Sequence, residues 1–425
     1  MNVLTLSKEQ LLAQHQLLRR TYDDYCARGL SLNMARGKPS PEQLDLLNAF
    51  LQAPTSYISQ GGLDARNYST PEDLPETAAL FSELLGIPKE SILIGGNSSL
   101  NLMYDTLCRM LLFGKAGQRP WVEQKDRKFL CPAPGYDRHF AVTQELGFEL
   151  ITVPMTPQGP DMDVVEELVA QDASIKGIWC VPLYSNPQGI CYSDETVERL
   201  AAMKTAAPDF CIMWDNAYGI HHLYEPVPLK DIFEACEKAG TLDRVFYFFS
   251  TSKVSFPGGG VSMMAMSPQN RAEALRHISI QTIGSDKINQ LRLLSVLPTP
   301  QAVRDHMERQ AALLRPRFEL VLSTLERELG GTGLASWTSP KGGYFVSLDT
   351  LPGCARATVE LAKRAGVTLT GAGATFPYGP YKTDPNDANI RIAPTYPPQD
   401  ELRTAIDLLC VCVKLAGIEK LLKEE

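Results

Sequence analysis

Residues 246–260 read FYFFSTSKVSFPGGG, an apolar strand that runs into Ser250, Thr251, Ser252 and Lys253 and then a glycine-rich bend. A lysine at the end of a buried strand is costly when charged and unpaired. Either Lys253 caps the strand at the surface, or its amine is held neutral as a nucleophile that can form a Schiff base with a carbonyl. In the second case Ser250 and Ser252 offer hydroxyls to an anionic group such as a phosphate. Residues 212–218, IMWDNAY, put Asp215 at the end of a second apolar run, with the Tyr218 phenol three residues on. Asp215 either caps the following helix or pairs with a protonated pyridinium nitrogen, keeping a bound pyridine electron-poor. In residues 181–189, VPLYSNPQG, Asn186 either belongs to a plain Asn-Pro turn or donates its amide to an ionised ring oxygen. Residues 92–100, ILIGGNSSL, carry Asn97, Ser98 and Ser99 from a strand into a helix. Such a place is either a simple N-cap or an anion site built from free N–H groups and the helix dipole.

All four segments need strands to present them. Apolar runs at 91–94, 128–131, 150–153, 177–182, 210–214, 244–249 and 261–266 predict those strands. Several are continuous rather than alternating, as expected for strands buried on both faces of a parallel sheet. Helical spacing lies between them: Leu100, Met103, Leu107 and Leu111 recur at i, i+3 and i+4, and Ser193 caps 194–203. Strand–helix alternation of this kind predicts a doubly wound α/β sheet. Beyond residue 300 the pattern changes to a long helix at 301–329 with Pro316 as a kink, strands at 344–348, 368–369 and 389–393, and helices at 358–365 and 400–416. The expected division is an N-terminal segment 1–50 that joins the small domain, a large domain 51–300, and a small α+β domain 301–425.

Composition narrows the classes. The chain has 425 residues, 44% hydrophobic and 21% charged, and a net charge of -8. That apolar content rules out a disordered chain, and the absence of a basic tract argues against nucleic-acid partners. Ten cysteines include no C-x-x-C pair and sit mostly in apolar runs, which suits buried thiols in a reducing cytoplasm. The first twenty residues read as an amphipathic helix rather than a leader, and no run is long enough to span a bilayer. The expected location is cytoplasmic.

Taken in order, the phosphate cup, Asn-Pro-x-Gly, Asp-x-x-Tyr and Ser-x-Ser-Lys segments resemble the fold type I pyridoxal-phosphate enzymes of aminotransferase class I. NIRIAP at 389–394 resembles that family's C-terminal arginine motif, so the likeness covers nearly the whole chain. MARGKPSPEQLDL, NYSTPEDLPETAALFSELLGI, GGNSSLNLMYDTL and STSKVSFPGGGVSMM are similar to the aspartate aminotransferase subgroup Ic, members of which are often grouped with the MocR family. MocR regulators carry an N-terminal winged helix. Here the enzyme-like motifs begin at Arg36, and the expectation is an enzyme without that module.

The resemblance implies a three-layer fold with a mostly parallel central sheet in the large domain and a small α+β domain. It implies pyridoxal 5'-phosphate as cofactor, bound to Lys253, which also shuttles the proton. It makes Asp215 the pyridinium partner, Tyr218 and Asn186 donors to the ring oxygen, and Tyr136 (APGYDRHF) the ring that stacks on the cofactor. Asn97, Ser98, Ser99, Ser250 and Ser252 would hold the phosphate, joined by Tyr68 of a second subunit, so that a homodimer shares its sites. Arg391 would grip the substrate α-carboxylate and Gly37 would border the substrate. The family's arginine shortly after the lysine is missing, since residues 254–261 contain no basic residue. The phosphate charge would then be met by helix N–H groups and hydroxyls, or by a distant cation such as Lys287 or Arg292. The implied reaction is transfer of an amino group from L-aspartate to 2-oxoglutarate, with Arg36, Lys38, Arg66 or Arg292 as cation for the second carboxylate. A β-eliminating lyase or a sensor without turnover would share the motifs.

Overall fold

The computed structural model describes residues 2–54, 56–68, 70–378 and 384–424. Its strands are β1 (Leu32–Asn33), β2 (Ile92–Ile94), β3 (Lys128–Ala133), β4 (Glu149–Thr156), β5 (Gly159–Pro160), β6 (Ile175–Cys180) and β7 (Cys211–Asp215). These are followed by β8 (Val245–Ser250), β9 (Ser262–Met266), β10 (Ala335–Trp337), β11 (Val346–Thr350), β12 (Val367–Thr368) and β13 (Asn389–Ile392). Eight of them form one sheet in the order β2-β9-β8-β7-β6-β3-β4-β5. The central pairs β8–β7, β7–β6, β6–β3 and β3–β4 are parallel, and the pairs involving β9 or β5 are antiparallel. Every residue of β6, β7 and β9 is buried. These are the continuous apolar runs of the sequence, covered by helices on both faces.

The topology places the chemistry-bearing segments together. β2 is antiparallel to β9, and β9 to β8, so β2 runs the same way as β8 and its central neighbours. The chain therefore leaves β2, β3, β6, β7 and β8 at one edge, the carboxyl edge, where open α/β sheets bind ligands. At the opposite edge a buried ion pair ties β6 to the entry of β7. Lys176 Nζ lies 2.9 Å from Asp209 Oδ1, and Asp209 Oδ2 also accepts from Trp121 Nε1 and Gln124 Nε2, each at 2.9 Å.

A second body of structure surrounds the three-stranded antiparallel sheet β10-β11-β13. Helix Lys8–Ala27, capped by a reciprocal Ser7–Gln10 box, packs on helix Gln399–Glu424, and β1 pairs in parallel with β12. The first residues of the chain thus share a core with its last hundred, in a cluster that includes Val3, Leu11, Tyr22, Phe318, Leu348 and Ile418. Helix Pro300–Leu329 continues unbroken through Pro316. Sequence bounds shift by a few residues elsewhere: the strand expected at 344–348 is β11 at Val346–Thr350, which frees Tyr344 and Phe345 from the ladder, and the last helix runs on to Glu424. Among the described residues no helix is long and apolar enough to cross a membrane, and no cluster of three metal-ligating side chains occurs. All ten cysteines are free thiols.

Removing the anion of the Lys176–Asp209 pair leaves a buried ammonium without a partner. Asp209→Ala should cost about 3–5 kcal/mol of stability, read as a lower denaturant midpoint. An unchanged midpoint would mean that Lys176 reaches water.

Candidate active site

Asp215 is the last residue of β7, and the helix that follows is capped by Asp231, so Asp215 is not a helix cap. Its Oδ2 accepts from His139 Nε2 at 2.9 Å, while its buried Oδ1 has no partner among the described residues. His139 is itself fixed by stacking on Trp179, centroids 4.2 Å apart and planes 8° from parallel. A buried carboxylate oxygen with no donor is expensive, and it fits a site that expects an N–H.

Three residues past Asp215, the chain brings Tyr218 back under Lys253. The Lys253 Nζ lies 5.1 Å from the Tyr218 ring centroid and 5.8 Å from that of Tyr344. No carboxylate or hydroxyl of the described residues bonds this amine. Burial lowers its pKa from the ordinary lysine value, and the charge of Asp215 partly opposes that shift. His221 packs edge-on to both tyrosines, and desolvation, aided by the nearby Lys253 charge, pushes its pKa down to about 3. A neutral imidazole thus shares the pocket with the amine.

Asn186 precedes a cis proline after β6 and is buried. Its Oδ1 accepts from Arg391 Nη1 at 3.2 Å, leaving the amide nitrogen as the end free to donate. Tyr136 ends the loop after β3 as the N-cap residue of helix Asp137–Glu145 and lies edge-on to His139. Burial raises its phenol pKa to about 12, with the Asp137 and Asp215 charges adding to the shift. Arg391, in β13, is 8% exposed and crosses to this group from the other sheet. Its Nη1 also donates to Asp137 Oδ1 at 3.0 Å, its Nη2 donates to Thr370 Oγ1 at 3.3 Å, and its carbon lies 4.8 Å from the Phe345 ring.

Gly37 meets the same Phe345. A Cβ there would stand 2.4 Å from the phenyl Cζ, so only glycine lets the segment lie on the ring that supports Arg391. The sequence places Gly37 beside a substrate; the contact seen is with Phe345.

The residues expected to form a phosphate cup converge beside Lys253. Gly95 and Gly96 exchange backbone bonds with Ser262 at the head of β9, which pairs with Ser250 at the end of β8. Ser250 donates to Ser252 Oγ at 3.0 Å, Ser252 donates to the Asn97 carbonyl at 3.0 Å, and Asn97 Nδ2 donates to the Pro257 carbonyl at 3.0 Å. Ser98 is the N-cap of helix Ser99–Phe113 but makes no side-chain cap bond, so the first-turn N–H groups keep their donors. Of the two candidate cations, Lys287 Nζ donates to the Thr70 carbonyl and Arg292 donates through Nε to that of Ala53, its terminal nitrogens bonding nothing among the described residues. Tyr68 is 84% exposed and touches none of these groups.

Some site-forming residues escaped the sequence reading. Asp137 and His139 stand one and three positions after Tyr136, a spacing that puts all three on one helical turn facing the site. Gly342 and Gly343 just before Tyr344 and Phe345 hinted at a close approach. Gln43, His306 and Gln310 had no local signal. His306 and Gln310 both donate to the carbonyl of Val254, next to Lys253, and Gln43 links Gln310 to the Tyr344 hydroxyl.

Comparisons with known proteins identify the family to which this fold is similar. The family model described as aspartate amino-transferase matches residues 6–425. An aspartate aminotransferase of Corynebacterium glutamicum is 43% identical over 409 residues, covering 95% of this chain and 94% of its own. The crystal structure of an aspartate transaminase from Corynebacterium glutamicum superposes with a TM-score of 0.96 at 42% identity, over 99% of both chains. The α-aminoadipate aminotransferase LysN of Thermus thermophilus, solved with N-(5'-phosphopyridoxyl)-L-leucine, shares the fold at a TM-score of 0.74 and 22% identity, over 99% of this chain and 97% of its own.

A lowered pKa means that a larger share of Lys253 is neutral at any given pH. In cofactor-free protein, acylation of Lys253 by an amine-specific reagent should therefore reach half its maximal rate at a lower pH than acylation of the exposed lysines. Peptide mapping across a pH series reads this, and titration alongside the surface lysines would contradict the burial argument.

Proposed function

The chain belongs to the aspartate aminotransferase family, and on that premise we propose that it transfers the α-amino group of L-aspartate to 2-oxoglutarate with Lys253 as its central base. It is a pyridoxal-phosphate-dependent aminotransferase. The observation that carries the assignment of residues is the convergence at one sheet edge of Lys253, whose amine no described carboxylate or hydroxyl bonds, and Asp215, whose buried Oδ1 has no partner among the described residues.

The donor set suits pyridoxal phosphate. Asp215, oriented by His139, would meet the ring nitrogen, with Asn186 Nδ2 and the Tyr218 hydroxyl meeting the ring oxygen and Tyr136 covering the ring. Asn97, Ser98, Ser99, Ser250 and Ser252 would hold the phosphate through hydroxyls and helix N–H groups. Bound there, the cofactor supplies an electron sink for charge that develops at the amino acid's α-carbon. Lys253 Nζ, whose pKa burial lowers, accepts the α-proton and later gives it back. Arg391 offers its planar fork to the α-carboxylate, and Phe345 and Gly37 hold that fork in plane.

For the second carboxylate the best supported of the four cations is Arg36. Lys38 lies 3.8 Å over the Tyr396 ring, Arg66 is paired with Asp64, and Arg292 is bound to a carbonyl. Arg36 has no side-chain partner among the described residues, and the adjacent Ala35 carbonyl accepts from Thr370, the residue that Arg391 also bonds. Tyr68, Leu51, Tyr57 and Ile58 are all exposed along one segment. That exposure supports a homodimer in which a second copy covers the segment and Tyr68 reaches its phosphate site. The free thiols support a cytoplasmic location.

Borohydride treatment of the yellow holoenzyme, followed by peptide mapping, should place the reduced pyridoxyl group on Lys253. An adduct on another lysine would overturn the site. Substitution of the cations should separate their roles. Arg391→Lys should raise the Michaelis constant for every amino donor by a similar factor, about 2–4 kcal/mol or roughly 30- to 1000-fold. Arg36→Gln should penalise aspartate and leave alanine nearly unchanged. An Arg391 variant that discriminates aspartate from alanine would reverse the two assignments.

A further inference from the structure

The Arg391 fork is not empty. Its two Nη1 hydrogens go to Asp137 Oδ1 at 3.0 Å and Asn186 Oδ1 at 3.2 Å, and one Nη2 hydrogen goes to Thr370 Oγ1 at 3.3 Å. Nε, buried, and the second Nη2 hydrogen have no partner among the described residues. Asp137 is the only carboxylate paired with this guanidinium among the described residues, and its side chain is 36% exposed against 8% for Arg391. It is also the first residue of helix Asp137–Glu145, so its backbone is held while its side chain keeps access to water. The same turn carries Tyr136 and His139, which ties the carboxylate's position to that of Asp215.

From this arrangement we propose that Asp137 is a resident counter-ion that competes with the substrate's carboxylate for Arg391 and thereby sets how tightly substrates and products are held. The proposal rests on the reading of Arg391 as the carboxylate grip. A buried guanidinium without an anion would carry an uncompensated desolvation cost, and Asp137 removes that cost while no substrate is present. An incoming carboxylate has two routes. It takes the Nε–Nη2 edge beside Asp137, or it displaces Asp137 from Nη1 into water. The first route brings a second negative charge within one guanidinium's width of Asp137, where like charges disfavour one another, and the second gives up the Arg391–Asp137 ion pair; both weaken the net grip. A transaminase must release one 2-oxo acid before it binds the next, so a grip weakened by a built-in competitor speeds exchange at the expense of affinity. Asp137 acts through Arg391 and is a positioning residue with a say in specificity, not a catalytic one.

Calorimetric titration of the holoenzyme with succinate, a dicarboxylate with no amino group to transfer, tests this without turnover. Asp137→Asn keeps an oxygen for Nη1 and removes the charge. It should bind succinate roughly tenfold or more tightly than wild type, with cofactor absorbance unchanged. General damage to the site would weaken binding, so tightening is a signature that a merely structural role does not produce. Unchanged or weaker binding in Asp137→Asn overturns the proposal. Arg391→Gln should lose most succinate affinity, and adding Asp137→Asn to it should recover none. If tightening persists without Arg391, the charge acts elsewhere and the proposal fails. If Arg391→Gln alone leaves affinity untouched, the reading of Arg391 itself is wrong, an outcome distinct from failure of Asp137→Asn in an Arg391-dependent site.

Discussion

Parallel pairing of β7 with β8 sets Asp215 opposite Phe248, two residues short of the point where β8 hands over to Ser250, Ser252 and Lys253. The ladder aligns an acid and an amine from distant parts of the chain, because backbone hydrogen bonds leave no freedom in register once both faces are buried. The rest of the site is placed relative to that pair. β6 brings Asn186 in from one side, β9 passes the ladder on to β2 and its glycines, and β3 delivers the turn that carries Tyr136, Asp137 and His139.

Electrostatics then divides the site in two. On the sheet side, desolvation favours the neutral forms of Lys253 and His221, and the rings of Tyr218 and Tyr344 flank the amine. On the side of β13 a permanent cation, Arg391, needs an anion at all times, and Asp137 supplies one. The low effective dielectric that makes a neutral amine reactive also makes an uncompensated guanidinium expensive. The two halves meet at Asn186, whose amide accepts from Arg391 with its oxygen and keeps its nitrogen free to donate.

Behind the lysine, His306 and Gln310 both donate to the Val254 carbonyl, and Gln43 joins Gln310 to Tyr344. These bonds connect the long helix Pro300–Leu329 and the early segment around Gly37 to the peptide that bears the amine. Buried polar groups of this kind are costly unless fully paired, which makes them a rigid mount.

Strand ends followed by Asn97, Asn186, Asp215 and Lys253 were legible in the sequence because a buried parallel strand is a continuous apolar run and because polar residues that end it must face a ligand or water. Family likeness added Arg391 and Tyr136. Local residues were also enough for the amphipathic first helix, whose period is a property of neighbours. Only the tertiary structure decided that Asp215 is held by His139 and is no helix cap, that Gly37 lies on Phe345, that Lys287 Nζ and Arg292 Nε donate to backbone carbonyls, and that Asp137 faces Arg391 across a sequence separation of 254. Those are contacts between residues far apart in sequence. They are set by sheet register and by how the two cores pack, and no local pattern encodes either.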